Sequence, residues 1–265
     1  MKQLKFLMVA FTLLMGVSFT SCLNDDAGES MYDGIGYVRT VMGSYFVDLY
    51  GNTYHPTMAS VTEMEAQGFK MSGTDLAQIA FKYVEDTPAT KAEGGTFTPQ
   101  DYRIKLVSAI AVDSYSTRYA SSVEDMETIP ETAPIVTLEP TDNYGQTYKP
   151  WMYGAEMLVL PISWKMENKE HTMELVYIND ESNESSTELV FYLRHNKGTD
   201  TKTDVFAVRN KAYDVKQIMS DFKGKHGSYP TTIRIKAKTD MDGAKLPEKY
   251  TDYTIENFKW NPSNQ

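Results

Sequence analysis

Two histidines, His171 and His195, are the side chains whose types and spacing come closest to a metal site. If the segments that carry them lie side by side, the two imidazoles and an acidic side chain could bind zinc. A second interpretation is structural: His195 is a turn residue whose ring holds a backbone carbonyl, and His171 caps a strand. No two histidines have the spacing of a helical zinc motif, because His55 and His226 lie far from this pair and Glu170-His171 is isolated. We favour the structural interpretation and predict no metal.

Motifs of the common catalytic chemistries are missing from the sequence. No G-x-S-x-G nucleophile motif occurs. Gly34 and Gly36 begin a strand-like run that lacks the later glycine of a phosphate-binding loop. Asp240-Met-Asp242-Gly243 resembles the start of a calcium loop, but no Glu closes it, so we predict a hairpin turn there. No spacing among the 36 acidic residues indicates a glycosidase pair, and the sequence therefore predicts no catalytic residue, no cofactor and no enzymatic activity.

The only cysteine, Cys22, has the sequence surroundings of a lipidated residue. Lys2 and Lys5 precede an uncharged apolar run, Leu7–Val17, which has the length of a signal-peptide core. A membrane-spanning helix needs about 20 apolar residues, so this run is too short to span a bilayer. The stretch Phe19-Thr20-Ser21-Cys22 resembles the lipobox of bacterial lipoproteins. The resemblance implies a signal peptide over residues 1–21 and a lipid on Cys22 that anchors the chain to a membrane.

The charge balance is acidic, with 26 Lys and Arg against 36 Asp and Glu, a formal charge of −10. Loss of Lys2 and Lys5 with the signal peptide makes the mature chain more acidic still, which argues against nucleic acid as a partner. Residues 22–31 form a polar acidic tether. The tether is either a flexible spacer or an export signal like that of Bacteroidota-type lipoproteins. We predict an outer-membrane lipoprotein exposed at the cell surface, with a periplasm-facing protein as the alternative.

Short β-type runs separated by turn residues are typical of an all-β chain, and no period of 20–50 residues repeats. Domain 32–119 is predicted to be a small OB-like barrel of about five strands. A turn at Met42-Gly43 separates its first two strands. The run at 76–84 fits a strand and also one face of a helix, and we interpret it as a strand. The strands are predicted at 34–41, 44–49, 53–55, 76–84 and 102–112, a helix at 59–67 and a loop at 87–99.

The composition changes near residue 120, where serines, acidic residues and then four prolines begin a second domain, 120–260. Its many short alternating runs predict an antiparallel β-sandwich. Pro161 cannot donate a ladder hydrogen bond, so it is expected at an edge or a bulge. The strands are predicted at 135–138, 157–164, 172–178, 188–194, 204–208, 231–238 and 250–260, and Val215, Ile218, Met219 and Phe222 predict one short helix.

Several stretches of the chain together resemble the NigD-like lipoproteins. They are GIGYV and GSYFVDLYGN in the predicted barrel, and MLVLP, HTMELV and LRHN in the predicted sandwich. The resemblance covers about residues 32–260. It implies an N-terminal OB domain, a C-terminal β-sandwich and an envelope location, and it supplies no catalytic residue. Because the family takes its name from a gene beside a bacteriocin locus, it also implies bacteriocin immunity as a role.

Aromatic side chains make up 12% of the chain, a compositional excess. Trp151-Met152-Tyr153, with Tyr144 and Tyr148 nearby, would stack on sugar rings or anchor a protein partner if exposed. The alternative, which we favour, is that these rings fill the barrel and the sandwich interface. The sequence analysis predicts a lipid-anchored, non-enzymatic binding module for a glycan or protein partner. Its alternative is envelope protection or scaffolding, including bacteriocin immunity.

Overall fold

The computed structural model describes residues 32–84, 99–167, 171–179, 185–201 and 205–256. The predicted signal peptide, Cys22 and the acidic tether lie outside these residues, as does nearly all of the predicted loop at 87–99. The described chain divides into an N-terminal unit that ends at Ser114 and a C-terminal unit that begins at Tyr115. No helix in these residues has the length and apolar run needed to cross a bilayer.

The N-terminal unit contains a closed barrel of five described strands. Strand β1 pairs antiparallel with β2 and β4, and β4 continues to β5. Strand β3 pairs antiparallel with β2 and parallel with β5, which closes the ring. The predicted all-β class and OB-like barrel are confirmed. Its elements are β1 Gly34–Val41, β2 Tyr45–Val47, β3 Thr53–Pro56, α1 Met58–Ala66, β4 Leu76–Tyr83 and β5 Asp101–Ser116.

Alternation along the strands fills the barrel with aromatic and aliphatic side chains. Tyr102, Ile104 and Leu106 of β5 are buried inward. The Tyr102 ring stacks on Tyr54 at 5.3 Å, and Tyr54 lies 5.2 Å from Phe81. Burial raises the pKa of Tyr54, with the nearby Asp48 carboxylate as a further cause. Much of the aromatic excess is therefore core packing.

The run at 76–84 is a strand, as predicted, and its ambiguous pattern has a physical cause. Every residue from Leu76 to Phe81 is buried. A strand covered on both faces shows no polar alternation, so periodicity alone does not separate it from a buried helix. The Met42-Gly43 turn is also confirmed, since both residues have positive φ and Ser44 donates its N–H to the carbonyl of Val41.

Two groups of strands form the C-terminal unit. One is ordered β11-β8-β7 and the other β13-β12-β10-β9-β6. Their facing side chains form one core, which Val215, Ile218, Met219 and Phe222 join from helix α3 as predicted. The elements are β6 Arg118–Ala120, α2 Val123–Glu127, β7 Trp151–Tyr153, β8 Met157–Met166, β9 Thr172–Ile178, β10 Glu188–Asn196, β11 Val205–Asp214, α3 Lys216–His226, β12 Thr232–Ala237 and β13 Thr251–Glu256.

The C-terminal unit differs from the prediction in several details. The strand predicted at 204–208 is β11, which runs to Asp214, and the strand β7 was not predicted. The pairs β10–β12 and β6–β9 are parallel, so the five-stranded sheet is mixed and not fully antiparallel. Residues 135–138 make only isolated bridges, Ile135 to Thr239 and Thr137 to Ser163, in place of a strand. Arg118 and Tyr119, which the sequence analysis placed at the end of the barrel domain, pair with β9 in this sheet.

Strand β8 is buried along both faces from Met157 to Trp164. Leu158, Leu160, Ile162 and Trp164 point into the core between the sheets. The 135–138 segment lies along the edge of β8, where Val136 donates its N–H to the Ser163 carbonyl and Ser163 donates its N–H to the Thr137 carbonyl. Pro161 lies beyond the last residue of β8 that pairs with β7, where no hydrogen bond to β7 is needed.

Candidate functional site

The structure brings His171 and His195 together at the end of β9 and β10. His171 Nδ1 lies 2.8 Å from His195 Nε2, and His171 Nε2 lies 3.1 Å from Asp200 Oδ2. His195 Nδ1 lies 2.9 Å from the Pro134 carbonyl oxygen. Both side chains of the His171–Asp200 pair are almost fully buried, at 0% and 2% exposure. The four groups form one continuous buried hydrogen-bonded chain, which we call the histidine chain.

Hydrogen-bond chemistry fixes most proton positions in the histidine chain. The Pro134 carbonyl only accepts, so His195 Nδ1 carries a proton and donates it. Burial lowers the pKa of His195 to about 4, so its ring is neutral near pH 7 and Nε2 accepts from His171 Nδ1–H. The third hydrogen bond, between His171 Nε2 and Asp200, then needs one more proton. If this proton lies on His171, the two groups form an imidazolium–carboxylate pair, and if it lies on Asp200, they form a neutral pair.

This arrangement does not suit zinc. Asp200 and His195 lie on opposite nitrogens of the same imidazole, so one ion cannot contact all three side chains. In the described part of the chain, no group of three or more His, Cys, Asp or Glu side chains is placed to hold a metal. The structural interpretation is right that the His195 ring binds a backbone carbonyl and that His171 precedes a strand. The same interpretation placed His195 in a turn, which is wrong, because this residue belongs to β10.

The LRHN stretch has a structural role in the C-terminal unit. Arg194 Nε donates to the Ile129 carbonyl, and the Arg194 guanidinium lies 3.4 Å from the buried Glu131 carboxylate. The His195 carbonyl accepts from the backbone N–H of Thr132, and Asn196 Oδ1 accepts from the Thr132 hydroxyl. Consecutive residues of β10 therefore fasten residues 129–134 to the end of the sheet.

A short motif that was not predicted as a structural element occurs once in each unit. Asp48-Leu-Tyr-Gly-Asn-Thr-Tyr54 and Asp142-Asn-Tyr-Gly-Gln-Thr-Tyr148 share the pattern Asp-x-Tyr-Gly-x-Thr-Tyr. In both, the Asp Oδ1 accepts the backbone N–H groups two and four residues later, at 2.8–3.0 Å. The Asp Oδ2 accepts the hydroxyl of the last tyrosine, at 3.0 and 2.9 Å. Both glycines have positive φ, at 82° and 84°. An alignment of the chain with itself over seven residues reveals the pattern.

The aromatic group around Trp151 does not form one exposed platform. Met152 and Tyr153 are buried, and the Trp151 ring meets Tyr153 edge to face at 6.1 Å. The Tyr148 hydroxyl is held by Asp142 in the repeated motif. Tyr144 alone of this group is highly exposed, at 80%, on the tip of its hairpin. The favoured interpretation, that most of these rings are structural, agrees with this arrangement.

The outer face of the barrel is the strongest candidate site in the N-terminal unit. Strand registers place Arg39 opposite Val47, Val47 opposite Thr53, and Thr53 opposite Asp101 in one row. A second row contains Val41, Tyr45, His55 and Arg103. We call the surface that these two rows form the barrel face.

Tyr45 and His55 form a stacked pair at the centre of the barrel face. Their ring centroids are 5.3 Å apart with an interplanar angle of 29°. The His55 side chain is half exposed, and its Nε2 lies 3.8 Å from the Asp101 carboxylate. A cleft of about 390 Å³ beside them is lined by Arg39, Thr40, Val41, Met42, Val47 and Asp48. The sequence analysis named His55 only as an isolated histidine. Tyr45, Arg39 and Arg103 become visible as a group when the strand alternation is combined with the barrel topology.

The loop at Asp240 is a turn, as predicted. The Asp240 carboxylate accepts the backbone N–H groups of Asp242, Ala244 and Lys245. These hydrogen bonds, those from Lys245 and Ala244 first, lower the pKa of Asp240. The carboxylate therefore stabilises its own loop.

Comparison with known proteins establishes the fold. A candidate lipoprotein from Bacteroides fragilis is 21% identical, with a TM-score of 0.63, and the match covers 86% of this chain and 99% of that one. A protein of unknown function, DUF1344, from Bacteroides vulgatus is 10% identical, with a TM-score of 0.52 over 86% and 95% of the two chains. A NigD-like immunity protein from Bacteroides caccae is 12% identical, with a TM-score of 0.46 over 83% and 90%. No family model matches the chain, and no curated protein matches it. At these identities, the two structures with a TM-score above 0.5 show the fold.

Proposed function

We propose that this protein is a lipid-anchored, non-enzymatic binding module of the cell envelope that binds a glycan through its barrel face. The observation that carries the proposal is the stacked Tyr45–His55 pair on that face. Exposed flat rings offer a surface to the apolar face of a sugar, and OB barrels use the same strands to bind oligosaccharides and oligonucleotides.

Polar groups around the stacked pair suit a sugar. Arg39 and Arg103 lie on either side of it, and Asp101 is adjacent to His55. Guanidinium donors and a carboxylate acceptor together match the mixed donors and acceptors of sugar hydroxyls. The acidic charge of the chain disfavours the other common ligand of such barrels, a nucleic acid.

The test is glycan binding by the soluble chain 23–265, first on a printed array of oligosaccharides and then by calorimetry with the strongest hit. Replacing Tyr45 or His55 with Ala should weaken binding roughly two- to tenfold, the effect of losing one stacking ring. Tyr144→Ala is the matched control, because Tyr144 is an exposed tyrosine outside the barrel face. The proposal is wrong if no glycan binds more tightly than about 1 mM, or if the control variant weakens binding equally.

Anchoring and location need separate experiments. Cys22→Ser should abolish incorporation of labelled palmitate and move the protein from the detergent phase to the aqueous phase. Proteinase K treatment of intact cells should degrade the protein while a periplasmic control survives, if the acidic tether at 22–31 directs surface export. Survival of both proteins would instead place the binding module in the periplasm.

A further inference from the structure

A second cleft lies in the C-terminal unit, and the sequence predicted no site at its residues. It has a volume of about 350 Å³. One wall is the chain around β6, with Ser116, Thr117 and Tyr119, and the other is the start of α3, from Asp214 to Ser220. We call it the α3 cleft. Its volume accommodates a monosaccharide and falls at the lower end of small-molecule sites.

The walls of the α3 cleft are fixed to each other. The buried Thr117 donates its hydroxyl to the Asp214 carbonyl at 2.6 Å, across the floor of the cleft. The backbone N–H of Val215 donates to the Glu156 carbonyl at 2.8 Å and holds the beginning of α3 in place. The cleft is therefore preformed, so ligand binding requires little ordering of the walls.

Tyr119 presents an aromatic ring to the cleft. Its side chain is half exposed, and its ring meets Tyr177 edge to face at 5.9 Å and 89°. That contact orients the Tyr119 ring without covering its faces entirely. A ring held in this way can stack on the apolar face of a pyranose.

Side chains that can form hydrogen bonds lie at the beginning of α3 and along one side of it. Gln217 Nε2 donates to Asp221 Oδ1 at 2.7 Å, which orients both side chains. The Asp214 carboxylate accepts the backbone N–H of Lys216 through Oδ1. Within the described residues, neither Asp214 nor Asp221 forms an ion pair. Their remaining lone pairs are acceptors for hydroxyl groups.

The charges at the α3 cleft select against acidic ligands. Asp214 lines the cleft, and Asp221 is hydrogen-bonded to Gln217, which lines it as well. Burial and then the carboxylates of Asp221 and Asp214 raise the pKa of Tyr119. The lysine of the cleft, Lys216, is paired with Glu156 at 2.9 Å. A uronic or sialic acid would bring another carboxylate next to two existing ones, whereas a neutral sugar brings only hydroxyls.

We propose that the α3 cleft is a second saccharide site, specific for a neutral sugar, in which the Tyr119 ring stacks on the pyranose and Gln217 and Asp221 bind its hydroxyls. The site is independent of the barrel face, because it uses residues of the other unit only.

The experiment is saturation-transfer difference NMR on the soluble chain 23–265 with methyl glycosides of mannose, galactose and N-acetylglucosamine, and with glucuronic acid as the acidic probe. We expect transfer to at least one neutral glycoside and none to glucuronic acid. Tyr119→Ala and Gln217→Ala should each lower affinity roughly two- to tenfold, whereas Tyr119→Phe should retain most of it.

Two controls separate this site from the barrel face. Tyr45→Ala should leave transfer at the α3 cleft unchanged, and Tyr144→Ala should do the same. The near-ultraviolet circular dichroism of each variant should match that of the parent, which shows that the variant is folded. If Tyr119→Ala does not fold, Gln217→Ala still tests the site, because it replaces an exposed residue. Equal binding of glucuronic acid, loss of transfer in Tyr45→Ala but not in Tyr119→Ala, or no transfer from any neutral glycoside would overturn the proposal.

Discussion

The histidine chain should make the C-terminal unit lose stability as the pH falls below about 6.5. Burial lowers the pKa of His195 from 6.5 to about 4, and the positive charge of a protonated His171 would act in the same direction. Between these two values the unfolded chain binds a proton that the folded chain does not. The free energy of unfolding therefore rises with pH across this window. The full stabilisation that the neutral histidine allows is present above pH 6.5.

The size of this effect follows from the depth of burial. A pKa lowered by about 2.5 units corresponds to about 3 kcal/mol, at roughly 1.4 kcal/mol per unit. His195 is 1% exposed, so solvent screening reduces this value little. We expect most of the loss to occur between pH 6.5 and pH 4.

Urea unfolding at a series of pH values from 4 to 7.5 measures the effect. Trp151 and Trp164 lie in the C-terminal unit, and the described N-terminal unit contains no tryptophan, so fluorescence follows the relevant unit. His195→Gln removes the titrating ring. It should flatten the pH dependence and lower stability near pH 7 by about 1–3 kcal/mol, because the Pro134 carbonyl and His171 lose their partner.

His55→Gln is the control, since His55 is half exposed and lies in the other unit. It should leave the fluorescence-detected pH dependence unchanged. The reasoning is refuted if the parent chain is equally stable at pH 4.5 and pH 7. It is also refuted if His195→Gln keeps the full pH dependence.

Two further pairs of substitutions test the packing and the repeated motif. Gly34→Ala should destabilise the barrel by about 1–3 kcal/mol, because its Cβ would lie 2.5 Å from the Phe81 ring. The Cβ of Gly36→Ala meets nothing within 4 Å, so this variant should be close to neutral. Thermal unfolding of both variants compares their stabilities. Asp48→Ala should lower the free energy of unfolding by about 2–3 kcal/mol, since it removes hydrogen bonds from two backbone N–H groups and a buried tyrosine hydroxyl. Asp142→Ala should lower it less, because its hairpin is exposed. Equal losses of stability in urea unfolding would contradict this ranking.

Local patterns in the sequence were sufficient for most of the fold. Strand β9 was predicted at its observed bounds, and the apolar spacing that begins at Val215 located helix α3. These elements follow period and turn chemistry, which a single sequence contains. The 135–138 segment was predicted as a strand and is not one. Its apolar residues are buried, and its backbone hydrogen-bonds to Ser163 and Lys238 only at isolated bridges. Burial combined with isolated bridges gives the same sequence pattern as a strand.

The candidate sites could be predicted only in part, because they depend on contacts between distant residues. The pairing of His171 and His195 was foreseen as one of two alternatives, but Asp200 was not, since no spacing marks it. Tyr119 was predicted at the end of the barrel domain, whereas it lies in β6 of the C-terminal unit, and its cleft depends on the approach of β6 to α3. Strand alternation identifies which residues point outward, whereas topology decides which outward residues become neighbours.

The most distinctive sequence motifs of this chain support its architecture. The LRHN stretch fastens residues 129–134 to β10, and the Asp-x-Tyr-Gly-x-Thr-Tyr motif closes a hairpin in each unit. In both motifs, hydrogen bonds to main-chain or buried partners account for the polar side chains. These motifs therefore stabilise the fold of this chain and carry little information about a ligand. Ligand recognition should therefore depend on side chains outside them, such as the stacked Tyr45–His55 pair and Tyr119.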